Sequence, residues 1–174
     1  MTIAPWRTTR FTWRSARRSS LEPVDLLAMA HGFAGSAPSW PGMDDPSERC
    51  WHTIAATDRF EAWVVAWPVG GNIELHDHGD SGGAVVIASG SLVETSVRSD
   101  DLGLHATSLS IHTGGHVVFG PKHVHDLVNN GPGPALSIHV YSPALRTMTY
   151  FDRRDGRQLV PVRTEEYNEG LLVG

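Results

Sequence analysis

The sequence is poor in cysteine, in charged residues and in long apolar runs. Its single cysteine, Cys50, cannot close an intrachain disulfide, which fits a reducing compartment, and we expect a cytoplasmic protein. No apolar run approaches the ~18 residues that a membrane-spanning helix needs, so we expect no membrane partner. Charged residues make up 19% of the 174 residues and hydrophobic residues 40%, which is the balance of an ordinary globular protein and not of a disordered one.

Acidic residues are missing from residues 1–20, which carry five of the 14 basic residues, all arginines. Residues 21–174 therefore hold the other nine basic residues and all 19 acidic ones, a formal charge of −10. An acidic body argues against nucleic acid as a partner. We interpret residues 1–20 as a basic arm or the start of a first helix, with a targeting segment as the alternative. Residues 21–174 are expected to form one domain, and a monomer is favoured over an oligomer.

Glycine and proline divide most of the chain into short segments. A helix is predicted over Leu21–Gly32, with a proline-rich loop after it, and residues 47–54 suit either a helical turn or a first strand. From residue 60 onward, β-branched, aromatic or alternating segments predict strands at 60–67, 74–78, 84–88, 92–98, 104–112, 116–119, 123–128, 135–141, 147–152 and 158–162. Many short strands with turns between them predict a mainly β fold, a sandwich or a small barrel that starts near residue 60.

Histidines suggest a metal site on these strands. His76 and His78 are one residue apart on a predicted strand, where side chains alternate, so both point to the same side. Imidazole is the commonest protein ligand for a transition metal. The His123/His125 pair and His139 are the other candidates. A mononuclear site open to substrate often has three protein ligands.

The spacing around these histidines resembles the two cupin motifs. The first is carried by Gly70, His76-Asp77-His78, Gly83 and Gly90, and a degenerate second one by Gly114, Gly120-Pro121, His125 and Asn129. More specifically, the strings 76–81 (HDHGDS) and 137–143 (SIHVYSP) are similar to those of the type I cysteine dioxygenase family of thiol dioxygenases. The resemblance covers about residues 60–152. It implies a single cupin β-barrel with a few short helices at its N-terminal side.

The resemblance also implies the chemistry. The ligands of a catalytic Fe(II) would be His76, His78 and His125, with His123 as the competitor for the third place. The catalytic relay would be Ser137, His139 and Tyr141, whose alternation puts all three on one side of a strand. The implied reaction adds both atoms of dioxygen to the sulfur of a small thiol to give a sulfinate, with no organic cofactor.

Two positions depart from the family pattern. Gly83 stands where mammalian members have the cysteine that crosslinks to the active-site tyrosine, so no crosslink can form there. The substrate-clamping arginine of the cysteine-specific members aligns with His52, whereas Arg49 takes its place only after a register shift. Arg146 is a third candidate for a substrate contact.

The loss of that arginine favours a substrate other than free cysteine. Trp51 and Trp63 are expected near the pocket, and an aromatic wall can hold a quaternary ammonium. Ergothioneine, a betaine thiol, and mercaptopropionate are therefore the preferred candidates. The alternatives are a true cysteine dioxygenase with a relocated arginine, a non-catalytic metal-binding cupin that acts as a sensor, and a hydrolase or isomerase using Zn or Mn. A mere binder has no need of the relay, and the lack of an acidic ligand weighs against Mn.

Overall fold

The computed structural model describes residues 20–35 and 43–167. These ranges form one helix and eleven strands: α1 (Pro23–Gly35), β1 (Cys50–Ala56), β2 (Glu61–Trp67), β3 (Asn72–His76), β4 (Gly82–Ser89), β5 (Ser91–Asp100), β6 (Gly103–His112), β7 (His116–Phe119), β8 (Val124–Val128), β9 (Ala135–Ser142), β10 (Thr147–Arg154) and β11 (Gln158–Glu166). The mainly β prediction is confirmed, and the ambiguous segment 47–54 contributes to strand β1. The predicted arm, residues 1–20, lies outside the described residues except for Ser20.

Two antiparallel sheets make up the body. One has the strand order β1-β2-β9-β4-β7, and the other has the order β11-β10-β3-β8-β5-β6. A core cluster of fourteen buried residues, drawn from both sheets, fills the space between them. No helix within residues 20–35 and 43–167 has the length and apolar character that are needed to cross a bilayer.

Strand β2 is buried on both of its faces, which explains its unbroken run of apolar residues. Its residues 63, 65 and 67 face the space between the sheets, whereas residues 62, 64 and 66 belong to the core cluster under α1. Strand β9 has the same alternation: Ile138 and Val140 pack toward α1. The three polar residues 137, 139 and 141 therefore face the interior between the sheets.

Helix α1 covers the outer face of the five-stranded sheet through Leu26 and Ala30. It continues to Gly35 and does not stop at Gly32, which corrects the predicted end. A glycine inside a helix costs only about 1 kcal/mol, and Phe33 beyond it packs against the same cluster. The backbone amide of Leu21, just before the helix, donates to the Ser142 hydroxyl at 2.9 Å, which ties the helix to the end of β9.

Asn129 fixes the turn between β2 and β3 against the loop that follows β8. Its side chain is fully buried, and Nδ2 donates to the carbonyl oxygens of Trp67, Pro68 and Gly133 at 2.9–3.1 Å. Its Oδ1 accepts from the Gly131 amide at 2.9 Å. One amide thus joins backbone groups at the end of β2 and in the turn after it to backbone groups of the loop that follows β8.

We expect Asn129→Ala to lower the free energy of unfolding by about 3 kcal/mol, because buried carbonyls lose their donor. Urea unfolding measures this loss. The exposed neighbour Asn130→Ala is the control and should change stability by less than about 0.5 kcal/mol. A loss below about 1 kcal/mol in Asn129→Ala would show that the two loops are held by other contacts.

Candidate metal centre

Three buried histidines converge between the sheets. His76 ends β3 and lies directly opposite His125 of β8 in the antiparallel register, and His78 follows two residues later. The three rings have centroid separations of 4.8, 4.9 and 5.2 Å. One ring nitrogen from each histidine lies within 4.8 Å of the other two. These are the three residues that the family resemblance implies as metal ligands, and the structure brings them together.

The distances within this group suit a metal ion. The Nε2 atoms of His76 and His78 are 3.2 Å apart. Two nitrogens that each bind one ion at ~2.0–2.1 Å must lie about 3 Å or more from each other, depending on the angle. The Nδ1 atom of His76 donates to the Glu74 carbonyl oxygen at 2.7 Å, so its Nε2 keeps a free lone pair directed at the group.

The histidines of this centre are held in the neutral form that metal binding requires. Burial lowers the pKa of His76 and of His78 well below the usual histidine value, and the neighbouring histidines add to the effect. Burial also lowers the pKa of His125, although a hydrogen bond to Glu94 opposes the shift. Protons therefore do not compete with a cation for these nitrogens at neutral pH. The donor set of three imidazoles fits Fe, Zn or Cu better than Mg or Ca.

Glu94 is a residue of the centre that the sequence analysis missed. Its Oε1 accepts from Nδ1 of His125 at 2.6 Å and from Nε2 of His123 at 3.1 Å. Burial of the Glu94 carboxyl raises its pKa, but these two hydrogen bonds outweigh burial and lower the pKa to about 2. A signal was present, because β5 alternates and Glu94 occupies a buried position two residues after Leu92.

The predicted relay forms a hydrogen-bonded chain on β9. The Ser137 hydroxyl lies 2.8 Å from Nε2 of His139, and Nδ1 of His139 lies 3.1 Å from the Tyr141 hydroxyl. The chain extends one step beyond the predicted residues, since the Trp67 indole N–H donates to the Ser137 oxygen at 2.8 Å. Burial lowers the pKa of His139 to about 3 and raises the pKa of Tyr141. The imidazole is therefore neutral and the phenol keeps its proton.

A cavity of roughly 210 Å³ connects the centre with the relay. His76, His139 and Tyr141 line it on one side. The predicted substrate residues Trp51 and Trp63 line it as well and stack on each other with their ring centroids 6.2 Å apart. The tryptophans give the cavity an apolar wall next to the polar relay.

Arg49 also lines this cavity. Its guanidinium carbon lies 5.6 Å from the ring centroid of Trp51 and 5.7 Å from that of Trp67. Its positive charge acts to lower the pKa of both His139 and Tyr141, although burial dominates both shifts. Of the two positions considered for the substrate-clamping arginine, Arg49, which required a register shift, is therefore the one that lines the cavity.

His52 does not line the cavity, which corrects its predicted position. Its side chain is exposed on β1, where it pairs with Val64 of β2. Trp51 faces the cavity, so the alternation of β1 turns His52 to the other face of the sheet. Arg146 is exposed and lies outside this cavity too; it lines a separate surface pocket that His78 also lines.

The last described strand forms the rim of the cavity. Arg163, Glu165 and Tyr167 line it from β11 and the residue after it. Glu165 accepts hydrogen bonds from the hydroxyls of Tyr150 and Tyr167 at 3.2 and 3.1 Å, and Arg163 forms an ion pair with Glu74 of β3. Sequence reasoning missed this rim, because the pattern of a solvent-facing edge strand does not show what the strand lies over.

Gly83 lies beside the relay but has no room for a side chain. It pairs with Tyr141 across β4 and β9. A Cβ atom at Gly83 would lie 2.6 Å from the Phe119 ring and 3.0 Å from the Val140 carbonyl oxygen. The Phe119 ring, stacked on His78 with centroids 4.9 Å apart, fills the space that a residue at position 83 would need.

Two facing antiparallel sheets with three histidines between them define a cupin with a candidate metal centre. The family model for cysteine dioxygenase type I matches residues 17–154, and the chain belongs to this family. Family and site together indicate a metal-dependent dioxygenase.

Solved structures share the fold at low identity. A recombinant oxalate oxidase in complex with glycolate is 17% identical with a TM-score of 0.53, and the match covers 67% of this chain and 60% of that one. The cupin domain of Schizosaccharomyces pombe Cnp3 is 15% identical with a TM-score of 0.50, covering 62% and 68%. The chain thus spans about 60% of the length of that oxalate oxidase. These likenesses show the fold alone.

We expect Gly83→Cys to form no crosslink with Tyr141, because Phe119 occupies the space of the new side chain. The overpacked variant should lose about 1–3 kcal/mol of stability. Intact-protein mass spectrometry and urea unfolding measure the two effects. The double change Gly83→Cys with Phe119→Leu should recover stability. A product lighter by two hydrogens in the single variant would show that Phe119 moves aside freely.

Proposed function

We propose that this protein is an Fe(II)-dependent thiol dioxygenase that converts a small thiol to its sulfinate. The observation that carries the proposal is that one cavity is lined by His76 of the candidate metal centre, by His139 and Tyr141 of the relay, and by the guanidinium of Arg49. A metal centre without the relay would fit a non-catalytic metal-binding sensor equally well. The fully connected chain from Trp67 to Tyr141 ends at the cavity, and this favours catalysis.

His76, His78 and His125 would hold the iron, each through a neutral Nε2. Iron(II) supplies, when bound, a Lewis acid that favours the thiolate and the redox chemistry that transfers both atoms of dioxygen to sulfur. The protein's own residues contribute by positioning the reactants. The tryptophan wall confines a bound substrate beside the centre and the relay, and confined reactants need no further ordering before they meet.

The relay directs the proton of Tyr141 into the cavity. The Trp67 indole can only donate, so the Ser137 oxygen accepts from it, and the Ser137 proton then goes to Nε2 of His139. This direction leaves no hydroxyl proton inside the relay without an acceptor. His139 in turn donates through Nδ1 to the Tyr141 oxygen, and the phenol proton is free for a substrate or an oxygen species in the cavity.

Arg49 points to a thiol that carries a carboxylate. A guanidinium can give a carboxylate two parallel hydrogen bonds, and the flanking rings of Trp51 and Trp67 restrict its orientation. The argument against free cysteine rested on His52, which lies outside the cavity. Cysteine therefore joins mercaptopropionate and ergothioneine, which also carry a carboxylate, among the candidate substrates. The hypothesis of a cysteine dioxygenase with a relocated arginine gains support from the position of Arg49.

We expect the iron-loaded protein to consume oxygen with cysteine or mercaptopropionate more efficiently than with cysteamine, which lacks a carboxylate. Arg49→Gln should lower kcat/KM about tenfold to a hundredfold for the carboxylate thiols, the worth of a charge-assisted hydrogen bond. Cysteamine is the matched control and should change little with the variant. Equal losses for all thiols would remove Arg49 from substrate recognition, and no uptake with any thiol would refute the proposed reaction.

We expect Tyr141→Phe to bind iron as the wild type does and to lose turnover about tenfold to a hundredfold, because one directed hydrogen bond is removed. Iron content and steady-state oxygen uptake are the two measurements. Tyr150→Phe makes the same change at a tyrosine outside the relay, whose ring centroid lies 5.8 Å from that of His76 and whose hydroxyl donates to Glu165, and it should cost less. Wild-type turnover in Tyr141→Phe would exclude the phenol from the reaction.

A further inference from the structure

Glu94 lies under the candidate metal centre, between two histidines of the neighbouring segment. It is 5% exposed and sits on β5, next to β8, with Leu127 as its register partner. A single oxygen, Oε1, contacts both Nδ1 of His125 and Nε2 of His123. A carboxylate this deeply buried needs a function or strong compensation, because its transfer from water is costly.

We propose that Glu94 is the positioning residue of the metal centre: it fixes the tautomer and ring orientation of His125, while His123 holds Glu94 and does not bind the metal. The inference rests on the proposed iron centre. It assigns separate roles to the two histidines, His123 and His125, that compete for the third ligand position.

The tautomer follows from the chemistry of the acceptor. A carboxylate oxygen only accepts, so Nδ1 of His125 carries the proton and Nε2 keeps its lone pair for an ion. His76 is set in the same way by the Glu74 carbonyl oxygen. Glu94 differs from that carbonyl because it brings a full negative charge, which makes the His125 ring more basic and offsets part of the charge of a divalent cation.

The same distances argue against an ion held by Glu94, His123 and His125 themselves, although these three residues also form a compact group. The 2.6 Å between Oε1 of Glu94 and Nδ1 of His125 is a short hydrogen bond. It is too short for two ligands of one ion, which lie about 3 Å or more apart. The 3.2 Å between the Nε2 atoms of His76 and His78 satisfies that condition.

The test compares the Fe(II) affinity of purified variants, measured anaerobically by competition with a chromophoric chelator, and the rise in melting temperature that Fe(II) causes. Glu94→Gln keeps the shape and removes the charge, and we expect about tenfold to a hundredfold weaker binding and a smaller rise. Glu94→Asp keeps the charge but places the carboxylate one methylene farther from His125. It should weaken binding in the same direction, and it serves as the second variant if the glutamine variant does not fold.

Two controls separate positioning from ligation. His123→Phe keeps the ring that stacks on Phe119, with centroids 5.2 Å apart, but offers no nitrogen. It should keep stoichiometric Fe(II) binding and weaken that binding less than Glu94→Gln does, because Glu94 retains its 2.6 Å hydrogen bond to His125. Glu61→Gln removes a half-buried carboxylate that is bonded to Trp63 and not to the centre, and it should bind Fe(II) within about threefold of the wild type.

Wild-type affinity in both Glu94 variants would overturn the inference and leave the iron centre standing. Loss of stoichiometric iron in His123→Phe would also overturn it, because His123 would then be a ligand. A wild-type protein that binds no Fe(II) would overturn the centre and the inference together.

Discussion

The antiparallel register between β3 and β8 is the constraint on which the site depends. It sets His76 opposite His125 and directs both rings to the space between the sheets. A slip of one residue would turn every side chain of one strand to its other face and would separate the two rings. The loops that precede β3 and follow β8 are joined by the buried Asn129 amide, so the hydrogen bonds of that amide oppose such a slip.

The two sheets contribute different halves of the chemistry. The six-stranded sheet carries His76, His125 and Glu94, and His78 follows just after β3. The five-stranded sheet carries the relay and the tryptophan wall, and Arg49 precedes β1. The relay can face inward because α1 buries the opposite face of β9, which would otherwise leave Ile138 and Val140 in water. The helix thus supports the site without touching the cavity, and the cavity is formed where the two sheets face each other.

Local spacing predicted much of this arrangement. The alternation from Ser137 to Tyr141 depends on strand periodicity alone, and β9 forms as predicted. The sequence predicts one strand over 74–78 for His76 and His78, whereas β3 ends at His76. The segment after the strand, and not strand alternation, therefore places His78 beside His76. The proposed roles of these residues stay predictions until they are measured. The mainly β fold and the family are confirmed, because the described residues form eleven strands in two sheets and the family match spans residues 17–154.

Contacts between distant segments could not be predicted in the same way. Arg49 and His52 differ by three residues in sequence, and only the pairing of β1 with β2 decides which of them faces the cavity. Phe119 fills the space beside Gly83 from another strand, a packing detail that spacing does not encode. Glu165 lies in β11, an edge strand whose sequence pattern predicts solvent-exposed residues and not a cavity lining. In each case the missing information was a long-range register.

The most direct measurement of the central claim is the fate of labelled dioxygen. The iron-loaded protein would be incubated with its best thiol under ¹⁸O₂, and the product would be analysed by mass spectrometry. The account predicts a sulfinate in which both oxygen atoms carry the label, formed with one dioxygen consumed per thiol. A product with one labelled oxygen, or a disulfide with hydrogen peroxide in place of a sulfinate, would contradict it.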